Sequence, residues 1–145
     1  MFEEIISVHI PKVAGTSFLH QLKEIFGEQH VLLDYNDDPV YLQSIVNIDP
    51  NCYEFDPIKT ISPYKVVHGH FQPKKYENLR NAFRLTFLRH PIDNIASIYF
   101  FWMAHDRNCW DSPIFHYCKD RNLTLLQFAA LPKLRYLYTR TYFGD

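Results

Sequence analysis

Residues 2–26 read FEEIISVHIPKVAGTSFLHQLKEIF, and their order decides the fold class. The first part, 2–10, is rich in β-branched side chains. Ile6, Val8 and Ile10 alternate there with Ser7 and His9, the period-two pattern of a strand. Pro11 ends it, and 11–15 form a short loop. From Thr16 onward, Phe18, Leu19, Leu22, Ile25 and Phe26 recur at helical spacing, and Gly27 suits a left-handed stop. The chain therefore opens as strand, tight loop, helix.

Working outward, 30–33 predicts a second short strand. Residues 34–63 are irregular, broken by Pro39, Pro50, Pro57 and Pro63, with a helix near 40–46. YKVVHGHF at 64–71 reads as a strand running into a loop, and 73–81 as a short helix opening on Pro73. A strand over 83–88 precedes a helix over 91–104 that carries Ile92, Ile95, Ile98, Tyr99 and Trp102 on one face. Core packing is the expected role of Tyr99 and Trp102. Residues 108–120 read as a loop, 123–131 as a helix stopped by Pro132, and 133–145 fit no single pattern. Strands alternating with helices predict an α/β fold, a mainly parallel sheet flanked by helices. Ligands in such folds sit beyond the carboxyl ends of the strands. Three segments fall there: 11–17, 68–70 and 89–97.

At 145 residues the chain has room for a single domain. With 47% hydrophobic and 21% charged residues it can bury a core, which excludes wholesale disorder. Its 15 basic and 16 acidic residues leave no basic excess for nucleic acid, so none is expected as a partner. Cys52, Cys109 and Cys118 are odd in number and irregular in spacing, which fits reduced thiols and not a disulfide framework. The longest apolar stretch, 95–104, is far short of the roughly 18 residues of a membrane span. Glu3 and Glu4 do not make a signal-peptide start. Cytoplasmic localisation is the default expectation. A luminal origin applies if the chain is a piece of an anchored enzyme.

The loop HIPKVAGTSF, 9–18, has the makings of an anion cradle. Gly15 allows close backbone approach, Thr16 and Ser17 add hydroxyls and cap the helix, and Lys12 adds a charge. Lys12 precedes the glycine, so this is not a Walker A loop. The plain alternative is a capped helix with a surface lysine. In FLRHPIDNIASIYF, 87–100, Arg89 leaves a strand as a helix begins, and Ser97 lies two turns on. A guanidinium there takes a phosphate bidentately. The alternative is a surface Arg89–Asp93 pair. His68 and His70, two apart, share a face in extended chain. One reading makes a general base at a strand end, another a core and a surface histidine. Zinc would need a third ligand from His9, His90, His116 or a cysteine, and none stands at ligand spacing, so no metal is expected.

PKVAGTS after a strand, HGHF in mid-chain and R-x-P-x5-S after a later strand, in that order, resemble the sulfotransferases that use 3′-phosphoadenosine 5′-phosphosulfate (PAPS). The nearest type is the carbohydrate 2-O-sulfotransferases and their small bacterial relatives. The resemblance implies a strand–phosphate-loop–helix N-terminus and one sulfotransferase-like domain over 1–145, shorter at its C-terminus than the family norm. It implies that Lys12, Ala14, Gly15, Thr16 and Ser17 hold the 5′-phosphosulfate. Arg89 and Ser97 would take the 3′-phosphate. His70 would be the catalytic base, with Lys12 and His68 assisting. PAPS is then the donor, and a hydroxyl, expected on a saccharide, the acceptor. Thr139 and Arg140 match a Thr-Arg pair in the family. Asn94 stands where the family often has a second arginine, and His90 where an Asp is common. Trp110 and Tyr117 are candidates to line an acceptor groove. The competing readings are a nucleotide-binding or kinase-like α/β protein and a sulfotransferase-like domain without turnover.

Overall fold

The computed structural model describes residues 4–38, 41–49 and 51–135. Four strands, β1 (Ile5–Val8), β2 (Val31–Asp34), β3 (Val66–Gly69) and β4 (Phe83–Thr86), form one sheet. Their order is β2-β3-β1-β4, and every neighbouring pair is parallel. The helices are α1 (Gly15–Phe26), α2 (Ile45–Ile48), α3 (Cys52–Phe55), α4 (Pro91–Ala104), α5 (Pro113–Asp120), α6 (Leu125–Ala129) and α7 (Pro132–Arg135). This is the expected α/β architecture. Among the described residues no helix is long and apolar enough to cross a membrane.

The sheet is covered on both faces, as parallel sheets require. Ile5, Val31 and Val66 pack with Phe18, Leu19, Leu22 and Phe26 of α1. Ile6, Val8 and Val67 turn the other way, onto Ile98 and Trp102 of α4, Phe115 and Cys118 of α5 and Phe128 of α6. The two sets alternate residue by residue along β1 and β3, which is the pleat expressed as packing.

Beyond β2 the chain is pinned by charge. Lys75 Nζ lies 2.8 Å from both Asp34 Oδ2 and Asp37 Oδ2, and the Tyr76 hydroxyl donates to Asp34 Oδ2 at 2.7 Å. Gly69 lets β2 end close against β3: a Cβ there would lie 1.7 Å from the Asp34 carbonyl oxygen. Together these hold the 34–38 turn beside the end of β3.

Several expectations need correction. Residues 108–120 are not a loop, because Ser112 caps α5 and Pro113 opens it. Phe115 and Cys118 are its buried face, an i, i+3 signal hidden by its brevity. Over 73–81 only a short 3-10 turn forms, Pro73–Tyr76. The helix expected near 40–46 is the single turn Ile45–Ile48, and Val40 lies outside the described residues. The 123–131 helix is trimmed to Leu125–Ala129 by a Thr124–Gln127 capping box, and Pro132 starts α7 as well as ending the segment. Ile92 is 72% exposed and takes no part in the core face of α4, whereas Ile98 and Trp102 do. Thr139 and Arg140 lie outside the described residues.

Candidate functional site

Val8, Gly69 and Thr86 stand level at the ends of β1, β3 and β4. The His9 N–H donates to the Gly69 carbonyl at 2.7 Å, and Thr86 Oγ1 donates to the Val8 carbonyl at 2.9 Å. The loop after β1 therefore leaves from the middle of the sheet, with the segments after β3 and β4 on either side. That crevice is the place where an open parallel sheet binds ligands.

The loop carries an unusual backbone. Lys12 and Ala14 both have positive φ, 64° and 71°, a left-handed conformation uncommon for residues other than glycine. Positive and negative φ alternate from 12 to 15, a shape that turns successive N–H groups toward one concave side. Two side chains from the β4–α4 region hold it. Asn94 is fully buried and donates from Nδ2 to the Pro11 carbonyl at 2.8 Å. Arg89 Nη1 approaches the Lys12 carbonyl at 3.4 Å. Asn94 thus clamps the loop from behind, which the sequence did not suggest.

The first helix begins at Gly15 with no side-chain cap, in contrast to the Ser112 and Thr124 caps of α5 and α6. Thr16 and Ser17 were expected to cap it. They sit one and two residues inside it, past the position from which a hydroxyl can cap. The orphan N–H groups of this first turn, at the positive end of the helix dipole, are available to an anion.

One cleft of about 560 Å³ is lined by Lys12, Ala14, Gly15, Thr16, His70, Arg89 and Ser97, together with His9, Pro11, Phe101 and Trp110. Seven of the residues singled out from the sequence therefore share one wall system. Ser17 and His68 do not line it. An adjoining space of about 420 Å³ adds Asp93, Ala96 and Phe100 around Arg89, Ser97 and Lys12. The Arg89–Asp93 ion pair is not formed, and among the described residues the guanidinium pairs with no carboxylate. Lys12 Nζ lies 3.9 Å over the Phe101 ring, a cation–π contact that positions the ammonium at the lip of the cleft.

The two histidines of HGHF have separate fates. His68 points to the α1 face with Ser7. It is 1% exposed, its Nδ1 is 2.9 Å from Ser7 Oγ, and its Nε2 has no partner among the described residues. His68 is a core residue and does not reach the cleft. His70, one step past the strand, does reach it. Its Nδ1 lies 3.2 Å from Asp38 Oδ2. The carboxylate comes from the turn pinned by Lys75, and nothing in the irregular 34–63 stretch of sequence marked Asp38 as a partner of His70.

His9, between strand and loop, was also missed as a site residue. Its ring stacks on His68 at 4.9 Å, meets His70 edge-on at 4.7 Å, and its Nδ1 is 3.1 Å from the Tyr35 hydroxyl. A Cβ on Gly15 would lie 2.0 Å from this held ring, so only glycine lets the loop close over it. Among the described residues no group of three or more His, Cys, Asp or Glu side chains is disposed to hold a metal ion.

Burial, then His70 and His68, lower the His9 pKa from 6.5 to about 3; burial, then His70, lower that of His68 to about 4. Both rings are neutral in the fold at neutral pH. An unfolded chain takes up these protons near pH 6.5 and the folded one resists them. Stability is therefore full above pH 6.5, falls as the pH drops toward 4, and levels off below about 3. The loss is on the order of a few kcal/mol. Urea midpoints measured between pH 7 and 4 check this, and His68→Gln should flatten the slope.

No family model matches this chain, and no curated protein or solved structure matches it.

Proposed function

We propose that the chain transfers a sulfuryl group from PAPS to an acceptor hydroxyl. The observation that carries this reading is the convergence of the Lys12–Thr16 loop, the Arg89 and Ser97 pair and His70 in one cleft. The donor substrate has two anionic ends, and the cleft offers two cationic groups from different elements. The loop N–H groups, the start of α1 and Lys12 suit the phosphosulfate. Arg89 and Ser97 suit the 3′-phosphate, the guanidinium being exposed and without a carboxylate partner among the described residues.

The residues divide the chemistry. PAPS supplies an activated sulfuryl group on a phosphate leaving group. His70 donates its Nδ1–H to Asp38, which fixes the tautomer and keeps the Nε2 lone pair as the acceptor of the hydroxyl proton. Lys12 and the loop N–H groups stabilise charge that grows on the departing phosphate oxygen. Neutral His9, packed behind His70, supports the ring without competing for the proton. The sequence resemblance taken alone points to a saccharide acceptor.

Transfer of a labelled sulfuryl group from PAPS, assayed with a panel of saccharides and simple alcohols, tests the reading. Transfer should persist in EDTA, because Lys12 and the backbone fill the role of a metal. Phosphoryl transfer from ATP that requires magnesium, with no sulfuryl transfer, would favour the kinase-like alternative.

A further inference from the structure

A second, smaller cavity of about 190 Å³ adjoins the cleft and shares Pro11, Lys12, His70, Phe101 and Trp110 with it. Resting on the donor reading above, we propose that this cavity is the acceptor pocket and that it takes a compact ring compound with a single hydroxyl, a phenol or an alicyclic alcohol, in place of a sugar unit.

The polarity of the walls is the argument. The floor is Ile98, Trp102, Phe115 and Leu134, all buried. These side chains offer one hydrogen-bonding group between them, the Trp102 indole N–H. The buried Ser112 hydroxyl nearby is already engaged as the cap of α5, accepting from the Phe115 N–H. Of the polar side chains, Lys12 and His70 are shared with the donor cleft, Asp38 pairs with His70, and Tyr41 adjoins Asp38, its N–H donating to the Asp38 carbonyl at 3.1 Å. A hydroxyl is served on that side and poorly elsewhere. A pyranose carries hydroxyls around its whole rim. Those turned to the floor would lose water without finding partners. A ring with one hydroxyl meets the polar side with its oxygen and the floor with its carbon skeleton.

Size points the same way. The volume is below the roughly 300 Å³ at which pockets for drug-sized ligands begin. One ring or two fused rings fit, and a saccharide chain does not. Once seated, the acceptor oxygen forms its bond to sulfur as the bond from sulfur to the bridging phosphate oxygen breaks. The hydroxyl proton goes to His70, and the electron pair of the broken bond stays on the phosphate oxygen, beside Lys12.

The chain contains two tryptophans, Trp102 and Trp110, and both line this cavity. Trp102 lines this cavity and not the cleft, so its emission reports occupancy here, whereas Trp110 lines both. The whole chain is titrated with 4-nitrophenol and, separately, with methyl β-glucopyranoside, while 3′-phosphoadenosine 5′-phosphate (PAP) binding is followed calorimetrically on the same preparation. The expected result is saturable quenching by 4-nitrophenol and none by the glycoside. Tyr41 lines the small cavity and not the cleft, so Tyr41→Ala should weaken 4-nitrophenol at least about fivefold and leave PAP affinity unchanged. Should that variant not fold, Trp110→Phe keeps an aromatic wall and should lower the quenching amplitude with little change in affinity. Saturation by the glycoside alone, or quenching indifferent to both variants, overturns the proposal. PAP binding without 4-nitrophenol binding overturns the pocket and leaves the donor reading standing. Binding of 4-nitrophenol without PAP leaves the ring preference but overturns the acceptor role together with the donor reading.

Discussion

Replacing His70 with alanine is expected to lower sulfuryl transfer by roughly 10²- to 10⁴-fold, the range for loss of a positioned general base. The acceptor hydroxyl must shed its proton as it attacks, and no other imidazole is placed to take it. His68 is sealed under α1 with Ser7, and His9 is held under the loop, its pKa lowered to about 3. PAP affinity should change little, because the phosphate-binding loop and Arg89 are untouched. Asp38 acts through His70 and is a positioning residue. Asp38→Asn should lower kcat by at least about tenfold with little change in KM, because the carboxylate orients the imidazole and fixes its tautomer. Asp38→Glu should recover part of that loss. Release of PAP from PAPS in the presence of acceptor measures all three variants. An undiminished rate in His70→Ala would remove it from the mechanism.

Lys12→Ala is the second large effect, a fall of roughly 10²- to 10³-fold in turnover. Lys12 and Phe101 both line the cleft, the Arg89 space and the small cavity, and Lys12 brings the charge of the two. In the proposed reaction, an ammonium at that junction would face the oxygen that gains charge as the donor breaks. Its side chain also packs on Phe101, so removal leaves an aromatic ring exposed at the lip. The loss should fall mainly on kcat, because the charge it stabilises develops in the transition state. A Lys12→Ala enzyme with a raised KM and normal kcat would reduce Lys12 to ground-state binding.

How much of this the sequence disclosed depends on the range of the interactions. The strand, loop and helix of 2–26 were legible because their signals are local: alternation, Pro11, helical spacing and Gly27. The helix of 91–104 has the bounds its pattern predicted, Pro91–Ala104. The lining of the candidate cleft was legible where a residue follows a strand end, as Lys12, His70 and Arg89 do. What failed was long-range. Asp38 pairs with His70 only because Lys75, far along the chain, pins Asp34 and Asp37. Asn94 looked like a missing charge and is a buried clamp on the loop. The spacing of His68 and His70 suggests a shared task, but the pleat sends His68 to the α1 face while the chain bends away before His70 reaches the cleft. Short helices such as α5 escaped because eight residues carry too little periodicity to outweigh a proline and a polar flank.

Calorimetric titration of the purified chain with PAP, without magnesium, tests the central claim most directly. The account predicts micromolar binding, weakened at least about tenfold in Arg89→Ala. ADP, which lacks the 3′-phosphate, should bind the parent as weakly as PAP binds that variant. A folded parent that does not bind PAP, or that binds ADP and PAP alike, would contradict it.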